Sequence, residues 1–189
     1  MTAATIRFEG HELPVDAETV ALVNVGSPDL TPLASLPRLR ELRLTHTNPH
    51  RSPGGLPVEL DPLASIETLE VLVLPHLPLR DLSPLRGLVR LRLLDLAFTP
   101  IDTVEDLVGL HALRQLRLRA TRVHDLEPLR GLERLAQLDV AHTPVADVEP
   151  LSSLAALREL HLEGTRVRED QAAALEAALP DLTIVWSEL

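Results

Sequence analysis

The sequence has no cysteine, no tyrosine and no lysine, and its only Phe and Trp residues are Phe8, Phe98 and Trp186. Each absence excludes something. Without cysteine there is no disulfide and no thiolate metal site. All 18 basic residues are arginine, against 28 acidic ones, so the formal net charge is −10. With so few rings and this sign of charge, base stacking and phosphate neutralisation both lack their residues, and no nucleic-acid partner is expected. No apolar run is long enough to span a bilayer. Residues 1–16 show no basic stretch followed by an apolar one. The expected location is therefore cytoplasmic, without membrane contact. Phosphate-cradling and nucleophile-elbow glycine motifs are missing as well, so neither a catalytic site nor a cofactor is expected.

What is present is leucine, 42 of 189 residues. That abundance suits a packed core, not a disordered chain. The leucines recur with a fixed period. Asp81–Leu88 (Asp-Leu-Ser-Pro-Leu-Arg-Gly-Leu) returns almost unchanged at Asp125–Leu132, and a partial copy starts at Asp147. Between copies runs Leu-x-x-Leu-x-Leu-x-x-Thr, beginning at Leu39, Leu91, Leu113, Leu135 (with Val140 in the third slot) and Leu157. Its closing threonines, Thr99, Thr121, Thr143 and Thr165, are spaced by 22. Leu69–Leu77 keeps the leucines without the threonine, and degenerate copies flank the set at 17–25 and 179–186.

On these residues the chain resembles the leucine-rich repeat family, and within it the bacterial 22-residue, internalin-like subclass. The family usually has Asn where this sequence has Thr. The resemblance covers roughly residues 17–186 and implies an α/β solenoid. That fold is a right-handed curved array with a parallel concave β-sheet and short helical or 3-10 turns on the convex side. The periodicity supports the same picture: one short alternating strand per repeat cannot bury its leucines alone, and stacked copies can. A single domain is expected. Residues 1–16 form an N-terminal capping strand or hairpin, 17–165 the repeats with an insertion at 48–59, and 166–189 a helix–strand cap.

Two polar columns read as structural. Asp29, Asp81, Asp125 and Asp147 stand where they would cap the return turns, with Pro32, Pro84, Pro128 and Pro150 in the first turn. The threonines, Thr47 included, should form an internal ladder bonded to backbone groups. In the C-terminal cap, 169–179 reads as an α-helix stopped by Pro180, and Leu182, Ile184 and Trp186 as a closing strand with Trp186 as a lid on the core.

Function is then sought at the variable positions between the strand leucines. Val71, Val73, Leu93 and Ala97 form an apolar group with Phe98 at its edge. Arg43 lies on one flank, Arg117 and Arg119 on the other, and Asp95 inside. An apolar centre with an arginine rim is the anatomy of a protein-binding hot spot. The expected function is thus non-catalytic binding of a partner protein through the concave face. Two other readings stay open. One is an inhibitor or immunity-like protein that blocks a basic enzyme; it draws on the ten acidic residues and three arginines from Asp139 to Leu189. The other, implied by the family resemblance, is a GTPase regulator that offers Arg117 or Arg119. His46, His50 and His76 could approach one another, but no carboxylate is placed to orient them, so no metal is expected. The chain is expected to be a monomer or a weak homodimer.

Overall fold

Each repeat contributes one short strand and one return turn, and the strands stack into a single parallel sheet. The structure is a computed structural model that describes residues 4–25, 28–45 and 57–186. Strands β1 (Thr5–Phe8) and β2 (His11–Pro14) come first and pair antiparallel, with Ile6 opposite Leu13. Glu9 (φ 48°) and Gly10 (φ 80°) between them are both left-handed, the geometry a two-residue hairpin turn needs. The N-terminal cap is thus a hairpin, and Phe8 enters the core.

The sheet then runs in chain order: β3 (Thr19–Val23), β4 (Glu41–Thr45), β5 (Val71–Val73), β6 (Leu93–Asp95), β7 (Gln115–Arg117), β8 (Gln137–Asp139), β9 (Glu159–His161) and β10 (Thr183–Val185). Leu42, Leu72, Leu94, Leu116, Leu138 and Leu160 share one register row and point into the core. Because side chains alternate along a strand, the residues on either side of each leucine face outward.

The return segments are 3-10 turns, at Thr31–Ser35, Asp61–Ser65, Ser83–Leu85, Glu105–Leu107, Glu127–Leu129 and Glu149–Ser153. A proline in the first turn of five of them removes an N–H that would have no partner there. The aspartates act one residue further out than a conventional cap. The residues directly before the six turns are Leu30, Leu60, Leu82, Val104, Leu126 and Val148, all buried. The preceding Asp29, Asp81, Asp125 and Asp147 each accept the backbone N–H of the turn's first residue, at 3.0, 2.8, 2.8 and 2.9 Å. These are Asx turns. Before the Glu105–Leu107 turn, where the aspartate is replaced, the Thr103 hydroxyl accepts the Glu105 N–H instead.

The threonine ladder is present. The hydroxyls of Thr99, Thr121, Thr143 and Thr165 donate to the carbonyls of Leu96, Leu118, Val140 and Leu162, at 2.6, 2.7, 2.6 and 2.7 Å. Thr47 lies outside the described residues. So does most of the expected insertion, but Val58 near its end is buried in the core and belongs to the stack.

Helix α1 (Glu169–Ala178) stops two residues before Pro180 and lays Ala172 and Leu175 against the core. β10 corrects the expected closing strand. Thr183 pairs with Glu159 and Val185 with His161, an interval of 24 residues where the repeat would give 22. Trp186 is 44% exposed and is not a core lid; Leu182 and Leu179 cover that end of the stack instead.

Candidate functional site

The open face of the sheet carries the variable residues. In one row stand Thr19, Glu41, Val71, Leu93, Gln115, Gln137, Glu159 and Thr183; in the other, Ala21, Arg43, Val73, Asp95, Arg117, Asp139, His161 and Val185. The repeat therefore places all eight predicted residues on or beside this face. It does not combine them as expected. Val73 is 5% exposed and Ala97 8%, while Val71 and Leu93 are half-buried. The apolar centre is thus a partly covered floor, and Phe98, at 48%, is its one well-exposed member.

Phe98 owes that exposure to its backbone. Asn24, His76, Phe98, Ala120, His142 and Gly164 all have φ between 54° and 64° and stand at the strand exits, from His76 onward at intervals of 22. Here the chain leaves the sheet through a left-handed residue, which costs roughly 1 kcal/mol at a non-glycine position. Phe98 rests face-on against His76, with ring centroids 4.4 Å apart and planes 8° from parallel. His46 and His50 lie outside the described residues, and no cluster that could hold a metal occurs among the described ones.

The arginines are engaged with their neighbours. Arg43 pairs with Glu41. Arg117 pairs with Asp95 at 3.2 Å. Arg119, 14% exposed, lies 3.6 Å from Asp139 and 3.1 Å from Glu163. Asp95 is itself structural: at 8% exposure it accepts the Ala97 N–H at 3.0 Å, and Asp139 does the same for Ala141 at 2.9 Å. The rim expected to meet a partner is thus largely an internal ion-pair network.

Over β7, β8 and β9 the face sinks into an open hollow of about 280 Å³. Its floor is a relay of side chains one strand apart. Gln115 donates to Gln137, Gln137 Nε2 donates to Glu159 Oε2 at 2.8 Å, and Glu159 Oε1 lies 2.6 Å from His161 Nε2. Such a surface suits hydrogen-bonded recognition. It is open to water, unlike the enclosed pockets that hold small molecules.

One column escaped the sequence reading. The residue just before each strand is Arg40, Glu70, Arg92, Arg114, Ala136 and Arg158 in successive repeats. Each donates its backbone N–H to the carbonyl of the one before, at 2.7 to 2.9 Å, so they line one edge of the open face. The signal was available, since each follows the first leucine of its Leu-x-x-Leu segment. It was passed over because the residue lies outside the strand alternation.

In the return turns, the side-chain and backbone bonds from Thr31 hold Asp29 below the ordinary carboxylate range, and those from Ser83 do the same for Asp81. The Arg130 guanidinium lowers Glu127, and that of Arg168 lowers Asp170.

Eight parallel strands, their return turns and a hairpin at the first end together decide the architecture. The fold is that of the leucine-rich repeat proteins. Solved structures agree. The chain superposes on an internalin, inlF, of Listeria monocytogenes with a TM-score of 0.79 at 21% identity, over 95% of its own length and 53% of that chain. Internalin C2 of the same organism gives 0.71 at 25% identity, over 93% and 85%. A leucine-rich repeat protein of Leptospira interrogans gives 0.71 at 18% identity, over 82% and 39%. The chain thus spans about half the length of the inlF chain. No family model and no curated protein matches the sequence. Leucine-rich repeat folds of this kind are typically protein-binding modules and generally non-catalytic. Among the described residues no helix is long and apolar enough to cross a membrane.

Proposed function

We propose that this chain is a non-catalytic module that binds a partner protein through the open, concave face of its sheet. The observation that carries the reading is the division of labour within each repeat. Core positions are leucine almost without exception, while the outward rows change from Arg to Val, Asp, Gln and His between neighbouring strands. A solenoid whose core repeats and whose face varies presents a broad, chemically individual surface. The GTPase reading is the weaker one, because Arg117 and Arg119 are held in ion pairs.

The test is photo-crosslinking in a native lysate. Benzoylphenylalanine is introduced in place of Leu93 or Gln115 on the open face, and in place of Arg86 on a return turn as control. Discrete protein adducts from positions 93 and 115, absent from position 86, are expected. Adducts from position 86 alone, or the same adducts from all three positions, would overturn the reading.

A further inference from the structure

The edge column concentrates positive charge on a strongly acidic chain. Arg92, Arg114 and Arg158 line an open groove of about 560 Å³ whose inner wall includes Gln115 and Gln137. Arg92, 62% exposed, is tied only at 3.4 Å to Glu70, which also holds Arg40 at 3.5 Å. Arg158 is oriented by the backbone: one of its nitrogens donates to the Ala155 and Leu157 carbonyls at 2.8 and 3.0 Å, and the other faces the exposed Asp181 at 3.4 Å. Arg114 is exposed, and its guanidinium has no partner among the described residues.

We propose that this groove binds an extended acidic segment of a partner protein, laid across the strand ends with alternate carboxylates on Arg92, Arg114 and Arg158. The inference rests on the protein-binding reading of the same face and adds the chemistry of what binds.

Spacing supports an extended peptide. Strands in a sheet lie about 4.8 Å apart, so Arg92 and Arg114 are one row apart, roughly 4.8 Å, and Arg114 and Arg158 two rows, roughly 9.6 Å. Ala136 opens that second interval. Three cations over roughly 14 Å have a mean spacing near 7 Å, close to the ~6.6 Å between alternate side chains of an extended chain. Arginine side chains can absorb the remaining mismatch, and the guanidinium fork accepts a carboxylate through two parallel bonds. The Gln115 and Gln137 amides beside the groove offer neutral partners to the peptide backbone.

Charge selects the length of the occupant. The groove is a local cationic strip on a chain of net charge −10. A long polyanion would leave the strip and run over acidic surface; a short acidic segment would not. No lining residue is aromatic, so bases would find nothing to stack on. A nucleic acid is therefore the disfavoured occupant.

The test uses a fluorescein-labelled peptide of alternating glutamate and serine, its glutamine-serine counterpart, and a labelled thymidine oligonucleotide. Binding to the full chain is read by fluorescence anisotropy at low salt. The glutamate peptide should bind at least tenfold more tightly than either control. R114E should abolish that preference, while R122E, which makes the same charge change on an exposed residue elsewhere, should weaken binding less than twofold. Circular dichroism checks that both variants are folded. Equal losses in R114E and R122E would reduce the effect to diffuse electrostatics and overturn the site. Tighter binding of the oligonucleotide, or no preference for glutamate over glutamine, would overturn the proposed occupant. Open-face crosslinks that persist in R114E would leave the binding function standing while this inference falls.

Discussion

Arg119 reaches past a whole strand to meet Glu163: its Nη2 lies 3.1 Å from the Glu163 Oε2, 44 residues along the chain. The intervening row holds Ala141, whose methyl leaves the path open. The same guanidinium lies 3.6 Å from Asp139, so one cation serves two carboxylates from two repeats. Its side chain is 14% exposed, and little water screens the group. Arg119→Met keeps the stem but strands both carboxylates in a partly covered site. The expected cost is about 2 kcal/mol, between that of exposed and buried pairs. In a chain of this size that lowers Tm by roughly 6 °C. Adding Glu163→Gln should cost less than the sum of the single changes, because the partner charge has already gone. Thermal melts of the four proteins check this; strict additivity would mean that the pair is not coupled.

The threonine ladder predicts a different pattern. Thr121 is 4% exposed, and its hydroxyl donates to the Leu118 carbonyl, which also accepts the Thr121 N–H at 3.2 Å. Thr121→Val fills the same space but loses one bond to a carbonyl that keeps its other donor. The expected loss is about 1 kcal/mol. Thr121 and Thr165 bond to separate carbonyls and stand two rows, roughly 9.6 Å, apart. The double Val variant should therefore lose about the sum of the two singles, read by urea unfolding. A neutral result at both sites would show that the ladder is maintained for something other than stability.

The contrast between these two cases explains what the sequence made legible. The ladder and the leucine rows follow from local rules repeated every 22 residues, and α1 from its alanine-rich run before Pro180, so each could be read from the sequence. The placement of Arg43, Asp95 and Arg117 on the open face followed from strand alternation. Their partners did not, because ion pairing depends on reach across rows: Arg119 skips Ala141, and Arg92 and Arg40 converge on Glu70. The burial of Val73 was likewise invisible to alternation, which assigns a side without saying what covers it. The register of the last strand was not legible because 179–186 has lost the leucine pattern, and nothing in its sequence separates two registers that present the same face.

Acid should weaken the fold through its return turns and the first turn of α1. Asp29, Asp81, Glu127 and Asp170 are all held below the ordinary carboxylate range in the folded chain. A depressed folded value means that the unfolded chain binds these protons first. The stabilisation is complete above the unfolded range, near pH 4, and is lost as pH falls through the folded values. Asp29→Asn combined with Asp81→Asn retains an acceptor for the Thr31 and Ser83 N–H groups but cannot titrate. The double variant should lose less Tm than the wild type between about pH 6 and pH 3, as followed by circular dichroism. Parallel acid limbs would assign acid sensitivity to other carboxylates.

Gly164 closes the left-handed column, and its neighbour explains why this slot lacks a side chain. A Cβ built there would collide with His142 Nδ1, and the backbone has φ +64°. Two penalties therefore meet in Gly164→Ala. The conformational one is roughly 1 kcal/mol, as at Ala120, which tolerates φ 54°. The steric one requires the imidazole, 3.6 Å from Glu163, to turn away. Removing the ring separates them. Gly164→Ala should be destabilising by about 2 kcal/mol in the native background and by about 1 kcal/mol in His142→Ala, where only the backbone term remains. Urea titrations of the four proteins give both values. If His142→Ala restores nothing, the left-handed backbone alone accounts for glycine at this position.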